Sequence, residues 1–499
     1  MLREIGKINR VVLAIASGLA LSLSFPNFNA GLIAYISFVP LFFALRESAK
    51  GRAFLISYLC GLIFFGITIF WICHVSVLAY VLLVLILSIF FGFFGVYFLY
   101  AIRYPLYTIF TVPAFWVVLE YIRSNLFSGF GWALLGYSQY LNTPVIQISD
   151  ITGAYGVSFF VMMVNVVIHS ILSEGIKKSA GVCLIGLLIF FGVLGYGYFK
   201  LQDTAVAEDV LDISLIQGNI PQDKKWDPRY KDHILDTYTR LTEYAAREGP
   251  DLIIWPETSL PGYMQESDLF RRVALLARNT GTYLLVGAPS YRDSSEEVIF
   301  NSAHLISEGG DIVQRYDKLH LVPFGEYIPF GGRIDFVRKL IDKPIGNFGK
   351  GGEYTIFELE NGLRFGVLIC FEDIFSNLVR GFVSRGADFM VNMTNDAWFK
   401  KTPAAYQHAQ SSVFRALENR MPVIRAANTG LSCFIDKKGR IFDSVRVDNE
   451  EILVAGYKTN RVVISKDRSI YSRFGDVFVF LCTMLVIING GWRWKKRRY

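Results

Sequence analysis

The chain has 499 residues, of which 53% are hydrophobic and 19% are charged, and it carries a formal net charge of +7. Its mean hydropathy is +0.37, and its charged fraction lies below the roughly 25% typical of soluble domains. The basic residues stand mostly in short clusters beside apolar segments. This pattern excludes a nucleic-acid-binding surface as the source of the positive charge and indicates membrane topology.

Apolar segments long enough to cross a bilayer fill the first 200 residues and recur once near the end. A crossing helix needs roughly 17–25 residues, and by that criterion about eight spans are predicted. They lie near 8–26, 30–46, 53–73, 77–101, 105–124, 154–173, 180–199 and 474–491. The segment 124–153 is rich in Gly, Tyr and Trp, and is expected to be interfacial or re-entrant.

The predicted spans divide the chain into three parts. Residues 1–204 are expected to form an α-helical membrane domain of about seven transmembrane helices. The polar segment 205–468 is long enough for a large globular domain. Residues 469–499 are expected to form a last transmembrane helix and a basic cytoplasmic tail.

The distribution of basic residues predicts the topology. Lys and Arg precede the first span, follow the second, fourth and sixth spans, and form the tail at 495–498, whereas the short loops 26–30 and 74–77 carry none. Loops that bear Lys and Arg stay in the cytoplasm. With seven spans before it, the polar domain is therefore predicted to face outward from a cytoplasmic membrane.

The polar domain alternates strand-like and helix-like patterns. Ile234, Tyr238, Leu241 and Ala245, for example, recur at helical spacing. Strands with helices between them indicate α/β layers. Strands are predicted at 213–217, 252–255, 283–288, 303–306, 364–369, 389–392, 423–426 and 433–436, and helices at 230–248, 268–279, 376–384 and 404–419.

Three chemically reactive side chains stand at or just past predicted strands. Glu257 follows the apolar run 252–255, Lys318 follows Asp317, and Cys370 follows the run 364–369. A free thiol has a pKa near 8.5 and needs help to attack at neutral pH. Glu257 could take its proton, and Lys318 could stabilise the thiolate and an oxyanion.

Each of these residues also has a structural explanation. A cysteine in an apolar strand is usually buried core, a glutamate after Trp-Pro can cap a turn, and a lysine after an aspartate can be a surface charge. The ordered combination outweighs these explanations. Glu326 and Glu372 are expected to hold the lysine or to shape the pocket.

The remaining cysteines and histidines carry no comparable pattern. Cys60, Cys73, Cys183 and Cys482 lie in predicted spans, and Cys433 is expected to be core strand. A disulfide between Cys433 and Cys370 is the alternative in an oxidising compartment, but a nucleophile must stay free. His320 is interpreted as a packed histidine, with a direct catalytic role as the alternative. No metal-ligand or cofactor motif is present, so neither metal nor coenzyme is expected.

The order and spacing of Glu257, Lys318 and Cys370 resemble the nitrilase (carbon–nitrogen hydrolase) superfamily over about residues 210–465. The whole chain is similar to a membrane branch of it, the apolipoprotein N-acyltransferase family. The stretches that carry the resemblance are 217–222, Lys225-Trp226, 255–258, 318–329, Ile369-Cys370 with Glu372, and 395–399. Two residues depart from the family pattern: Phe371 stands where many members have Tyr, and Lys400 stands where Gly is common.

The resemblance implies a nitrilase-like αββα sandwich with the triad Glu257, Lys318 and Cys370. It also implies that a membrane phospholipid donates an acyl chain to Cys370, and that the amine of a diacylglyceryl apolipoprotein then receives it. Four aromatic residues are expected to contact the substrates: Trp226, Tyr327, Phe371 and Trp398. The protein is expected to be monomeric, to bind no nucleic acid, and to lie in the bacterial inner membrane with its catalytic domain on the outer face.

Two other functions remain open at the level of sequence. One is a membrane-tethered amidase of the nitrilase type that uses water, and the other is a non-enzymatic lipoprotein-binding scaffold. A further expectation concerns the segment 333–341, where Ile334, Val337, Leu340 and Ile341 share one helical face. Such an amphipathic stretch is typical of a membrane-facing lid, or of an ordinary surface helix.

Overall fold

The computed structural model describes residues 9–102, 105–202, 209–291, 298–327 and 348–496. The chain divides into two compact units. One contains Met1–Asp203 and Arg473–Tyr499, and the other contains Thr204–Ser472. The amphipathic segment with Ile334, Val337, Leu340 and Ile341 lies outside the described residues.

The first unit is helical. Five of its helices are long and apolar enough to cross a bilayer, whereas the helices in the first, second and last predicted spans are shorter over the described residues. The helices are α1 (Arg10–Leu23), α2 (Val39–Leu45), α3 (Lys50–Thr68), α4 (Val77–Ala101), α5 (Pro105–Asn125), α6 (Thr143–Ile146), α7 (Ser149–Thr152), α8 (Ala154–Glu174), α9 (Ala180–Gln202) and α15 (Val477–Lys496).

The second predicted span is not one continuous helix. A 3₁₀ helix covers Gly31–Tyr35, and α2 begins only at Val39 with Pro40 in its first turn. Asn165 on α8 bonds the backbone at this break, accepting from the Phe38 N–H at 2.9 Å and donating to the Ala34 carbonyl at 2.8 Å. A side-chain amide thus satisfies backbone groups that a regular helix would pair internally.

The segment 124–153 is buried throughout at residues 131–140, which include a 3₁₀ helix at Leu135–Gln139. Two charged residues of α5 hold its backbone. Arg123 donates to the Trp132 carbonyl at 2.6 Å, and Glu120 accepts from the Leu135 N–H at 2.6 Å. Both side chains are buried. Each forms a hydrogen bond with a backbone group that would otherwise lack a partner.

The second unit contains two six-stranded sheets. The first has the order β12-β1-β2-β3-β4-β5 and the second the order β11-β10-β9-β8-β7-β6. The strands are β1 (Asp209–Gln217), β2 (Leu252–Ile254), β3 (Tyr283–Tyr291), β4 (Ile299–Ile306), β5 (Ile312–Asp317), β6 (Ile356–Glu358), β7 (Arg364–Ile369), β8 (Phe389–Thr394), β9 (Val423–Ala427), β10 (Cys433–Ile435), β11 (Ile441–Ser444) and β12 (Gly456–Ile464).

Helices cover the outer faces of both sheets. The helices of this unit are α10 (Lys231–Ala246), α11 (Ser267–Thr280), α12 (Ser376–Ser384) and α13 (Ala404–Asn419), and the unit ends within α14 (Ile470–Phe474). Helix α10 packs on β1 and β2, while α12 and α13 pack on β7 and β9. The sheets meet through β1 with β9 and β4 with β7. The unit is therefore an αββα sandwich.

Each sheet is built around three parallel strands. In the first sheet β1, β2 and β3 run parallel, and in the second β7, β8 and β9 do. Strands covered on both faces are nearly continuous apolar runs. Strands β2, β8 and β9 are buried at every residue, and the polar residues among them are Asn392, Thr394 and Arg425. Because the three strands of each group are parallel, their carboxyl ends lie at the same edge of the sheet. The residues that follow these strands therefore lie at that edge.

Candidate active site

Glu257 and Lys318 follow strands that end at the same edge of the first sheet. Glu257 lies three residues past the end of β2, and Lys318 directly follows β5. Both side chains are buried, and Lys318 Nζ lies 3.7 Å from Glu257 Oε1. The apolar strands thus place an acid and a base side by side out of bulk water, where their interaction is strong.

Glu326 and Asn301 complete a network around this pair. Lys318 Nζ donates to Glu326 Oε1 at 2.9 Å. Asn301 on β4 donates to Glu257 Oε1 at 2.8 Å and to Glu326 Oε1 at 3.0 Å. Val322 N–H also donates to Glu326 Oε2 at 2.8 Å. One lysine therefore faces two carboxylates whose positions are fixed by an amide and a backbone donor.

Cys370 comes from the second sheet, directly after β7, and is half-buried. Its backbone is in the left-handed region with φ at 57°. Glu372 connects the end of β7 to the loop that follows Lys318. It accepts from the Ile369 N–H at 2.7 Å, and from the Leu319 and His320 N–H groups at 2.7 and 2.8 Å. Glu372 thus bonds the neighbours of both Cys370 and Lys318, and holds backbone rather than the lysine itself.

The electrostatics assign a charge state to each partner. Burial disfavours the charged form of Lys318, but the carboxylates of Glu326 and Glu257 outweigh burial and raise its pKa. Burial raises the pKa of the Cys370 thiol, and Glu257 raises it further, while Lys318 opposes both. The resting site therefore holds an ammonium and a neutral thiol, so a thiol that reacts must give its proton to a base during attack.

Lys225 is a second buried lysine at this site. Its Nζ donates to the backbone carbonyl of Glu257 at 3.0 Å. Burial lowers the pKa of Lys225 to about 8, against the opposing effect of Glu257 and Cys370. Sequence analysis named Lys225 only as part of the Lys225-Trp226 stretch, because a lysine in a polar loop shows no local sign of burial.

A buried charged cluster lies against the Cys370 backbone and was not predicted. His408 on α13 contacts the Cys370 carbonyl oxygen, Asp373 and Asp396. Arg425 on β9 contacts the same two carboxylates. Asn301 was missed as well. Both His408 and Asn301 lie far in sequence from the residues that they contact, so no local pattern marks them.

The four aromatic residues expected to contact substrate follow four different strands: β1, β5, β7 and β8. Trp226 and Trp398 are exposed at the surface by 51% and 37%, and Phe371 is half-buried beside the thiol. Tyr327 accepts from the Phe324 N–H at 2.8 Å through its carbonyl and is also half-buried. His320 stacks on Phe375, with ring centroids 3.8 Å apart, as expected of a packed histidine.

The described residues leave the thiol unbridged and hold no recognisable metal centre. Cys370 and Cys433 are both free, and Cys433 is buried in β10. In the described part of the chain, no group of three or more His, Cys, Asp and Glu side chains is placed to hold a metal ion.

Two families match successive parts of the chain. Residues 17–167 match the Apolipoprotein N-acyltransferase N-terminal domain, and residues 212–463 match the Carbon-nitrogen hydrolase family. An apolipoprotein N-acyltransferase from Geobacter metallireducens is 37% identical over 94% of this chain and 92% of its own length. One from Pasteurella multocida is 32% identical over 97% and 95%. The chain belongs to the apolipoprotein N-acyltransferase family.

Two solved structures each cover about half of the chain. Saccharomyces cerevisiae Nit3, a nitrilase-superfamily member, is 18% identical with a TM-score of 0.39, covering 51% of this chain and 90% of its own. An amidase from Nesterenkonia sp. AN1 is 20% identical with a TM-score of 0.39, covering 54% and 98%.

Family membership decides several of the open questions. The chain is an acyltransferase, which sets aside the non-enzymatic scaffold. The predicted fold class, a multi-span helical domain with a nitrilase-like αββα sandwich, is confirmed. The five long apolar helices make it a membrane protein.

Proposed function

We propose that this enzyme transfers an acyl chain from a membrane phospholipid to the α-amino group of the diacylglyceryl-cysteine of an apolipoprotein, through a thioester on Cys370. The observation that carries the proposal is the network of Glu257, Lys318 and Glu326 facing the Cys370 strand end. The relatives' shared name supplies the acceptor class. The reaction is the last acylation of lipoprotein maturation.

In the first step Cys370 attacks the ester carbonyl of the phospholipid, at the sn-1 position. Glu257 takes the thiol proton as the carbon–sulfur bond forms, because the neutral thiol is a poor nucleophile. Lys318 stabilises the oxyanion of the tetrahedral intermediate. Collapse of the intermediate breaks the carbon–oxygen bond, and the departing alkoxide receives the proton from Glu257. A lysophospholipid leaves and the thioester remains.

In the second step the amine of the lipoprotein attacks the thioester. Glu257 takes a proton from the amine as the carbon–nitrogen bond forms, and Lys318 again faces the oxyanion. The carbon–sulfur bond then breaks, and Glu257 returns the proton to the sulfur of Cys370. The products are an amide and the resting enzyme, so the two half-reactions need neither metal nor coenzyme.

The proposal extends to location and substrate contacts. Both substrates are membrane-embedded, which fits a chain that joins apolar helices to the second unit, called the catalytic unit from here on. We place the protein in the bacterial inner membrane as a monomer, with the catalytic unit on the outer face. Trp226 and Trp398 present exposed indole rings, and with Phe371 and Tyr327 they are proposed to contact acyl chains or the lipoprotein.

The thioester is tested with purified protein in detergent and phospholipid alone. Intact-mass spectrometry should show one acyl group on the wild type, and neutral hydroxylamine should release it. Cys370→Ala should lose both adduct and activity. Cys370→Ser should acylate slowly and then stall, because an oxygen ester is a poorer acyl donor to an amine.

Cys433→Ala is the matched control. Burial raises the pKa of Cys433 to about 12, so its thiol is not expected to react, and this variant should acylate like wild type. If Cys370→Ala kept substantial N-acylation, transfer would pass directly from lipid to amine. Release of ammonia from simple amides would instead favour the amidase. In cells depleted of the protein, mass spectrometry should find lipoproteins with free amino termini.

A further inference from the structure

The backbone of Cys370 is held in a conformation that its side chain does not favour. Its φ of 57° lies in the left-handed region, which is sterically unfavourable for a residue that has a Cβ atom. Such residues persist where the surrounding structure fixes them, and they concentrate at functional sites. The contacts that hold Cys370 therefore also set the direction in which its thiol points.

His408 makes the contact closest to this residue. Its Nε2 lies 3.2 Å from the Cys370 carbonyl oxygen and 3.1 Å from Asp373 Oδ1, and its Nδ1 lies 3.0 Å from Asp396 Oδ1. The imidazole is buried, with 1% of its side chain exposed. Each ring nitrogen faces an acceptor, and only the imidazolium has an N–H on both nitrogens, so this geometry favours the cation.

The surrounding charges balance that cation. Arg425 contacts Asp373 Oδ2 and Asp396 Oδ2 at 3.2 Å each, and Ser412 donates to Asp373 at 2.6 Å. Two carboxylates thus face one guanidinium and one imidazolium, and the cluster is neutral. Burial and Arg425 oppose protonation of His408, but Asp373 and Asp396 outweigh them and raise its pKa to about 9.

The cluster joins the three central strands of the second sheet at their carboxyl ends. Asp373 lies just after β7, Asp396 just after β8, and Arg425 within β9, while His408 reaches in from α13. Asp396 also begins the turn that carries Trp398. A change at His408 would therefore act on the nucleophile's backbone, with no need for the imidazole to touch substrate.

We propose that His408 is a positioning residue for acyl transfer, which as a buried cation bonds the Cys370 carbonyl and holds the nucleophile in its left-handed conformation. This inference rests on the proposed function, since it assigns His408 a part in thioester formation. His408 acts through Cys370 and exchanges no proton with the substrate.

Two substitutions separate the two sides of the imidazole. His408→Gln places an amide N–H where Nε2 lies, so it can still bond the Cys370 carbonyl. His408→Asn places its amide where Nδ1 lies and leaves that carbonyl without a donor. In single-turnover acylation by phospholipid, the amplitude reports the folded fraction, and the rate constant reports the positioning of the thiol in folded molecules.

We expect the rate constant to fall about 10- to 100-fold in His408→Asn, the loss of one charge-assisted hydrogen bond, and only about threefold in His408→Gln. His233→Gln, on the exposed face of α10, should leave it unchanged. A lower amplitude with an unchanged rate constant in His408→Asn would show a structural role only and overturn the inference. If the wild type itself formed no thioester, the proposed function would fail instead.

A second measurement is made on the wild type, and a variant serves only to assign its signal. The chain has six histidines, so selective ¹⁵N labelling of their rings gives few signals. In the wild type one imidazole should remain doubly protonated at pH 8, and His408→Gln should remove that signal. A neutral His408 at pH 8 would overturn the inference, because one ring nitrogen would then face a carboxylate without a proton.

Discussion

The carboxylate of Glu257 can be tested without disturbing its neighbours. Asn301 donates to Glu257 Oε1, and Glu257→Gln keeps an oxygen there while removing the proton acceptor. General bases contribute typically about 10²- to 10⁴-fold, so the rate constant of Cys370 acylation should fall by about that factor. Single-turnover intact-mass spectrometry measures it. Lys318→Met is expected to lower the same rate constant by a similar factor, because losing one member of a catalytic group costs about as much as losing another.

Glu243→Gln on the exposed face of α10 provides the control for this change. It removes the same charge from the same unit and should leave acylation at the wild-type rate. A Glu257→Gln enzyme that acylated at the wild-type rate would mean that another group takes the thiol proton.

The raised pKa of His408 makes the stability of the protein depend on pH. Its pKa is raised to about 9 in the folded state, against about 6.5 in an unfolded chain. The stabilisation, on the order of 3 kcal/mol, is thus fully present below pH 6.5 and is lost as pH rises through about 9. Asp373, Asp396 and Arg425 face the imidazole. Burial raises the pKa of the two carboxyls, but His408 and Arg425 outweigh burial and lower both, so the carboxylates stay ionised over this range. The thermal midpoint in detergent should fall between pH 6.5 and 9.

The matched comparison is again between two histidines. His408→Gln should flatten the fall between pH 6.5 and 9, whereas His233→Gln, which is exposed, should keep it. An equally steep fall in His408→Gln would assign the pH dependence to other groups.

Residues next to apolar strands were accessible to sequence analysis, and residues brought from elsewhere were not. Glu257 and Cys370 each follow an apolar run that predicts a buried strand. Lys318 instead follows the edge strand β5, which has no such run, and it was recognised from the order of the three residues. His408 lies 38 residues from Cys370 in sequence, on a helix buried along most of its length. Its importance comes from contacts with Asp373 and Asp396 that only the folded chain brings together.

At the level of elements, the strands that sequence analysis missed are the four sheet edges. Strands β5 and β12 border the first sheet, and β6 and β11 border the second. Central strands such as β8 and β9 are buried at every residue, whereas β12 is mostly half-buried and β5 exposes its first two residues. Edge strands are paired on one side only and tolerate polar residues, so they lack the apolar run on which the predictions depended.

The turn after β8 holds Lys400 in a backbone conformation that suits glycine. Lys400, which stands where Gly is common, has φ at 55° and ψ at −157°, a region that is essentially restricted to glycine. Its strain of about 1–3 kcal/mol exceeds the roughly 0.4–1 kcal/mol that glycine costs through the unfolded chain. Lys400→Gly should therefore stabilise the protein by ~1 kcal/mol, measured as a higher thermal midpoint.

Lys401 offers a neighbouring control. Its backbone lies outside the left-handed region, and its ammonium forms an exposed ion pair with Glu450 at 3.3 Å. Lys401→Gly should lower the midpoint slightly, because glycine there relieves no strain. If both variants shifted the midpoint in the same direction, the backbone of Lys400 would not be the cause.

At the scale of the whole chain, the catalytic unit repeats one arrangement. Each sheet has three parallel strands at its centre. Two further strands, each antiparallel to its neighbour, extend one side of the sheet, and one antiparallel strand extends the other side. Glu257 and Lys318 come from the first sheet and Cys370 from the second. The site therefore exists only when both sheets are packed, which explains why Glu372 bonds the Ile369 and Leu319 backbones across them.

The topology of the membrane unit decides which substrates reach this site. Short loops that carry Lys and Arg alternate with the loops 26–30 and 74–77, which carry none, and basic loops remain in the cytoplasm. We therefore expect both termini inside and the catalytic unit outside, where exported lipoproteins are found. Alkaline phosphatase, which is active only after export, should be active when fused near Lys350 and inactive when fused after Tyr499. A green fluorescent protein fusion after Tyr499 should fluoresce. The reverse pattern would place Cys370 on the cytoplasmic side and remove its access to exported lipoproteins, even if the thioester chemistry held.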